Sequence, residues 1–130
     1  MIKGYGRAAL AAAALSVAMA ASALADIKDY EFQLVNQEVK KGDAVIAVKL
    51  VHKPSGRAIP DAVIFAKRID MGPEGMGEMA AKLEPMSGGE PGVYQFKTSL
   101  DMAGRWALTL GAKVQGETGT VQSKLIVNAK

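Results

Sequence analysis

The 130-residue sequence has no cysteine, one histidine (His52), one tryptophan (Trp106) and few aromatic residues overall. Without cysteine there can be no thiol nucleophile, thiolate zinc site or iron–sulfur ligation, and the fold must stand without covalent staples. A single imidazole rules out the multi-histidine sites that usually hold Cu(II) or Zn(II). His52 stands alone before a turn and reads as a strand-end surface residue. The chain has no convincing helical period, no internal repeat and no phosphate-cradling loop leading into a helix. None of Ser55, Ser87, Ser99 or Ser123 lies in a nucleophile elbow, and carboxylate pairs drawn at will among 13 acids carry no information. The chain is therefore read as a non-enzyme.

What is present begins with an export signal. Lys3 and Arg7 precede a run from Ala8 to Ala20 of almost wholly small and apolar residues, which ends at Ala23-Leu24-Ala25. A basic start, a short apolar stretch and a small-residue terminus predict a signal peptide over residues 1–25, cleaved after Ala25. The apolar run is shorter than the roughly 20 residues of a spanning helix, so no stable membrane insertion is expected after cleavage. Cleavage takes two of the 16 basic residues and none of the 13 acidic ones, so the formal charge falls from +3 to +1. A near-neutral chain with no basic stripe gives no electrostatic reason to expect nucleic acid as a partner.

Residues 26–130 suit one domain with one core. They read as short strands separated by turn signals every dozen or so residues, which predicts an all-β, immunoglobulin-like antiparallel sandwich of about seven strands. Tyr30–Leu34 alternates apolar and polar residues. Ala44–His52 is strongly β-prone and is expected to run centrally with both faces largely covered. A third strand over about Pro60–Ile69 would put Val63, Phe65 and Ile69 on one face. A fourth spans about Glu78–Glu84, a fifth Val93–Thr98, a sixth Arg105–Leu110 with Trp106 in the core, and a seventh Thr120–Asn128. Tyr94, after Pro91-Gly92-Val93, stands where sandwiches place a structural tyrosine corner.

The stretch Ile69-Asp70-Met71-Gly72-Pro73-Glu74-Gly75-Met76-Gly77-Glu78-Met79 carries three thioethers in a glycine- and proline-rich loop. Thioether sulfur is neutral at every pH and soft, which suits Cu(I) or Ag(I), and in an oxidising compartment methionine holds such ions where a thiol would be oxidised. If successive strands run antiparallel, the turn bearing Met102 opens at the same end as this loop, and His52 and Met86 lie at the other. Met71, Met76, Met79 and Met102 are thus the candidate ligands, with Glu74 or Glu78 as candidate oxygen donors. The competing reading makes the methionines hydrophobic plugs at the sandwich rim, since Met fills irregular gaps.

The ordered set Val48-Lys49-Leu50, Pro54-Ser55-Gly56-Arg57-Ala58-Ile59-Pro60-Asp61-Ala62-Val63, the methionine loop, Pro91-Gly92-Val93-Tyr94 and Met102-Ala103-Gly104-Arg105-Trp106-Ala107-Leu108 resembles the YtkA-like or FixH-like family over nearly the whole exported chain. The resemblance implies an immunoglobulin-like fold in the periplasm and an association with heavy-metal efflux or with copper supply to haem–copper oxidases. The lack of a membrane helix after export and the scarcity of histidine favour the efflux association. The expected partner is then a periplasmic adaptor or membrane transporter, which exchanges Cu(I) or Ag(I) with the methionine loop. The alternative is a metal-free accessory domain that docks on such a complex through its methionine-bearing loops.

Overall fold

A computed structural model describes residues 27–130. The expected signal peptide and its cleavage point lie outside the described residues. After a single 3-10 turn at Ile27–Asp29, the chain forms β1 (Tyr30–Leu34), β2 (Glu38–Val39), β3 (Gly42–His52), β4 (Arg57–Ala58) and β5 (Val63–Met71). A second 3-10 turn, Gly72–Glu74, leads to β6 (Met76–Ala81), β7 (Glu84–Met86), β8 (Val93–Leu100), β9 (Gly104–Lys113) and β10 (Val121–Ala129). Among the described residues, seven of these strands are five residues or longer; six fall on expected runs, and the seventh, β6, overlaps only the first part of the expected fourth.

Two sheets face each other. One has the order β1-β3-β8-β7, with β4 also paired to β3, and the other the order β2-β10-β9-β5-β6. Counting the long strands and β7 alone, this is the A-B-E-D and G-F-C-C′ arrangement of an immunoglobulin-like sandwich. The pairing is antiparallel except where β2 runs parallel to the end of β10. The core between the sheets is closed by Phe32, Ile46, Val48, Leu50, Ile69, Phe96, Leu100, Trp106, Leu108 and Val127. These residues alternate with exposed ones along β3, β8 and β10, as a sheet with one wet face requires.

That alternation corrects the expectation for β3. It is central, but its outer face is covered only near its end: Ile46, Val48 and Leu50 are buried inward and Val51 outward, while Val45 and Lys49 face solvent. The third strand is also corrected. The pairing of β5 with β9 slips by one residue between Ile64 and Ala66, leaving Phe65 as a bulge. A bulge inverts which parity faces the core. Ala62 and Ile64 therefore pack inward before it and Ile69 and Met71 after it, while Val63 and Phe65 are exposed. The expected fourth strand is two strands in different sheets, since β6 pairs with β5 and β7 with β8. The chain crosses between sheets at Lys82-Leu83, and Leu83 is buried there.

Tyr94 is structural, as expected, but makes no local tyrosine corner: it stands at the start of β8, the E strand of this arrangement, and its partners lie 32 and 35 residues upstream. Its hydroxyl donates to the Ile59 carbonyl at 2.7 Å and accepts from the Ala62 N–H at 3.0 Å, so a side chain of one sheet holds the segment that enters the other. Burial raises its pKa. Gly92, just before this strand, has φ +87° and lies against Ala58 and Ile59, which leaves no room for a side chain.

Candidate functional site

The methionine segment is not an open loop. Ile69-Asp70-Met71 continues the alternation of β5 past its expected end, which turns Met71 inward, and at 1% exposure it is sealed in the core. The reading of Met71 as a water-facing sulfur is therefore corrected. Met76 and Met79 lie on β6, half-buried against the core. Their placement follows from a second irregularity. β6 pairs Ile69 with Ala81 and Asp70 with Ala80, then shifts so that Met71 faces Met76. Unbroken register would have set Met79 opposite Met71; the bulge puts Met76 there instead and leaves Met79 between that pair and the Asp70–Ala80 pair on β6.

Met102, 38% exposed, sits in the turn entering β9. Two contacts bring that turn to the same end. The Trp106 Nε1–H donates to the Met102 carbonyl at 3.1 Å. Gly104, at φ +139°, lies against the Met71 Cε methyl so closely that a Cβ there would come within 3.0 Å of it. The β5–β9 register pairs Asp70 with Ala107, and one step further along Met71 comes level with Trp106. Four methionines and the sole tryptophan thus gather at one end of the sandwich. His52 belongs to the opposite end, where its Nδ1 lies 2.8 Å from the Ser55 hydroxyl and its ring packs 5.0 Å from that of Tyr30. Met86 lies alongside Gln95 on β7, away from the cluster.

Two of the carboxylates beside the cluster, Glu74 and Asp70, are already engaged. Glu74 Oε2 accepts from the Arg105 backbone N–H at 2.9 Å and from Arg105 Nε at 3.2 Å, while Arg105 Nη2 donates to the Pro73 carbonyl at 3.0 Å. The backbone hydrogen bond first, and the guanidinium second, hold Glu74 below the usual carboxylate range. Asp70 Oδ1 accepts from Gly72 N–H at 2.9 Å and Oδ2 from Arg68 Nε at 2.8 Å, which likewise lowers its pKa. Arg68 Nη2 reaches on to the Gly77 carbonyl. The protein's own hydrogen bonds thus order the segment, and Glu74 is corrected from candidate oxygen donor to structural anchor. Among the described residues, no three or more His, Asp or Glu side chains are grouped to hold a metal ion. Glu78, between Met76 and Met79 on β6, is exposed and makes no hydrogen bond or ion pair among the described residues, so the donors left at this end include the sulfurs and the Glu78 carboxylate.

The family model described as YtkA-like matches residues 24–111. The chain belongs to the YtkA-like family. The matched region of this YtkA-like domain runs from before β1 into β9 and includes all four candidate methionines, stopping short of β10. The crystal structure of the Lin-41 filamin domain is similar, with 16% identity, a TM-score of 0.45, and coverage of 76% of this chain and 91% of that one. A search of curated proteins found no match. No helix among the described residues is long and apolar enough to cross a membrane.

Arg68 and Arg105, which tie the methionine segment down, were not singled out from the sequence. Arg68 stands two residues before Asp70, the spacing at which side chains share one strand face, and that was the available signal. Arg105 pairs with Glu74 from 31 residues away, which no local pattern reveals.

Proposed function

We propose that this YtkA-like domain is an exported, periplasmic carrier of Cu(I) or Ag(I) that serves a heavy-metal efflux system. The observation that supports this most is the β6 bulge, which sets Met76 opposite Met71 with Met79 on the same strand, at the end where the Met102 turn closes. Soft, neutral donors suit a weakly hydrated monovalent ion, and the Asp70 and Glu74 carboxylates nearby are occupied by arginine and backbone N–H groups. Met76 and Met79 are half-buried, Met102 is exposed and Met71 is sealed in the core. The ion is cargo, passed by ligand exchange with a thioether site on a periplasmic adaptor or transporter, and no bond is made on a substrate. The basic start at Lys3 and Arg7 and the Ala23-Leu24-Ala25 terminus support export.

An anaerobic Cu(I) titration against a competing chelator tests this, with the Met76→Leu/Met79→Leu double variant alongside. Leucine retains apolar bulk and removes sulfur. Stoichiometric binding that the double variant loses supports the carrier. Equal failure of both proteins to compete favours the second reading, a metal-free domain that docks through its methionine-bearing end. That reading draws on the burial of Met71, which packs as any core residue would.

A further inference from the structure

On the flank of the sandwich, away from the methionine end, strand β5 has an unused edge. β9 pairs with it on one side from Val63 to Asp70, whereas β6 reaches only Ile69, Asp70 and Met71 on the other. Among the described residues, no backbone hydrogen bond is made on the second side by Val63–Arg68. In an extended strand alternate residues point N–H and C=O outward, so this stretch offers a row of unpaired groups about 20 Å long.

Beside that edge runs a cleft of about 370 Å³ between the two sheets. Ala62, just before β5, and Ile64 on it line the cleft from one side, and Pro85, Met86, Tyr94 and Phe96 from the facing sheet. A strand added to β5 would send alternate side chains into this cleft. Lys67 stands at its rim and has no ion-pair partner among the described residues. Pairing with a second copy of this chain would bring the Lys67 and Arg68 cations of both copies to one short edge, and no acid lies within residues 63–68 to offset them, which disfavours a second copy as occupant and favours an acidic one.

We propose that the Val63–Arg68 edge and the adjoining cleft form a β-addition site for an extended segment of a partner protein. The segment carries apolar residues at alternate positions, which fill the cleft, and an acidic residue opposite Lys67. Main-chain hydrogen bonds supply affinity and the cleft supplies selectivity. The site is separate from the methionine cluster, and its occupancy does not depend on metal.

The test is selection of displayed random peptides of about ten residues on the protein, followed by amide hydrogen exchange with the best synthetic peptide bound. Enriched peptides are expected to alternate apolar residues and to carry an acid. Binding should slow exchange within residues 63–68 by about tenfold or more. N-methylation of the peptide at alternate amides along the pairing edge should abolish binding. Lys67→Glu, a change at an exposed position, should weaken it several-fold and leave thermal stability unchanged. The proposal is overturned if no peptide is enriched, if N-methylation is tolerated, or if protection falls on β6 or elsewhere. Protection of residues 63–68 by self-association without peptide would overturn it equally, by making the occupant a second copy.

Discussion

Arg105 grips Glu74 with both its backbone N–H and its guanidinium, so the first residues of β9 and the 3-10 turn after β5 move as one piece. Through that grip the methionine end is ordered by the protein itself.

The grip is pH-sensitive in a direction fixed by the depressed carboxylates. Glu74 and Asp70 both titrate below their ordinary values of 4.5 and 3.8. A depressed folded-state pKa contributes stability that is complete above the ordinary value and lost as pH falls through the folded-state value. Thermal melting followed from neutral pH downward should therefore show a falling midpoint below about pH 4.5. The Asp70→Asn/Glu74→Gln double variant should melt lower at pH 7 and show a flatter acid limb. An unchanged acid limb would mean that neither carboxylate contributes.

Met71 and its neighbours should separate stability from sulfur chemistry. Met71→Ala opens a cavity in a sealed core and is expected to cost about 2–5 kcal/mol in urea unfolding, whereas Met71→Leu should cost less than about 1.5. Met76→Leu and Met79→Leu, at half-buried positions, should leave the unfolding midpoint close to that of the parent. If Met71→Ala unfolds like the parent, the burial assigned to this side chain is wrong.

Removing the Tyr94 hydroxyl by Tyr94→Phe strands the Ile59 carbonyl and the Ala62 N–H. The expected loss is about 1–2 kcal/mol, measured by chemical denaturation. Faster amide exchange at Ala62 should accompany it, because that N–H loses its acceptor.

Thr98 presents the reverse case. Its hydroxyl is buried on β8 with no hydrogen-bond partner among the described residues. Thr98→Val keeps the shape and the β-branching while deleting the stranded group, and should raise stability by about 1 kcal/mol. A drop in stability would indicate that a bound water satisfies the hydroxyl.

Most of the long strands were legible because they carry a period-two pattern over at least five residues, as in Tyr30–Leu34 or Val93–Leu100, whereas β6 does not. Glu38–Val39 and Arg57–Ala58 were not, since two residues cannot display a period. The crossing at Lys82-Leu83 was hidden because β6 and β7 abut in sequence, although Pro85 was a hint that the run did not continue as one internal strand. Phe65 misled for a related reason. A one-residue bulge leaves composition untouched and reverses the parity on which face assignment depends.

At the candidate site, strand parity alone brought Met102 to the end occupied by Met71 and sent His52 to the other. The inward turn of Met71 was present in Ile69-Asp70-Met71 but was masked by the glycines and proline that follow. Arg105 and Glu74, being distant in sequence, could be joined only by the fold.

The hydrogen bond from Trp106 to the Met102 carbonyl has an optical consequence. Trp106 is the chain's only indole, it is buried, and it is fastened to the turn that bears the most exposed of the four clustered thioethers. Intrinsic fluorescence therefore reports on that one end of the molecule without any label. A shift in its emission maximum or intensity registers whatever arrives at the Met102 turn, while events at the β5 flank leave it dark.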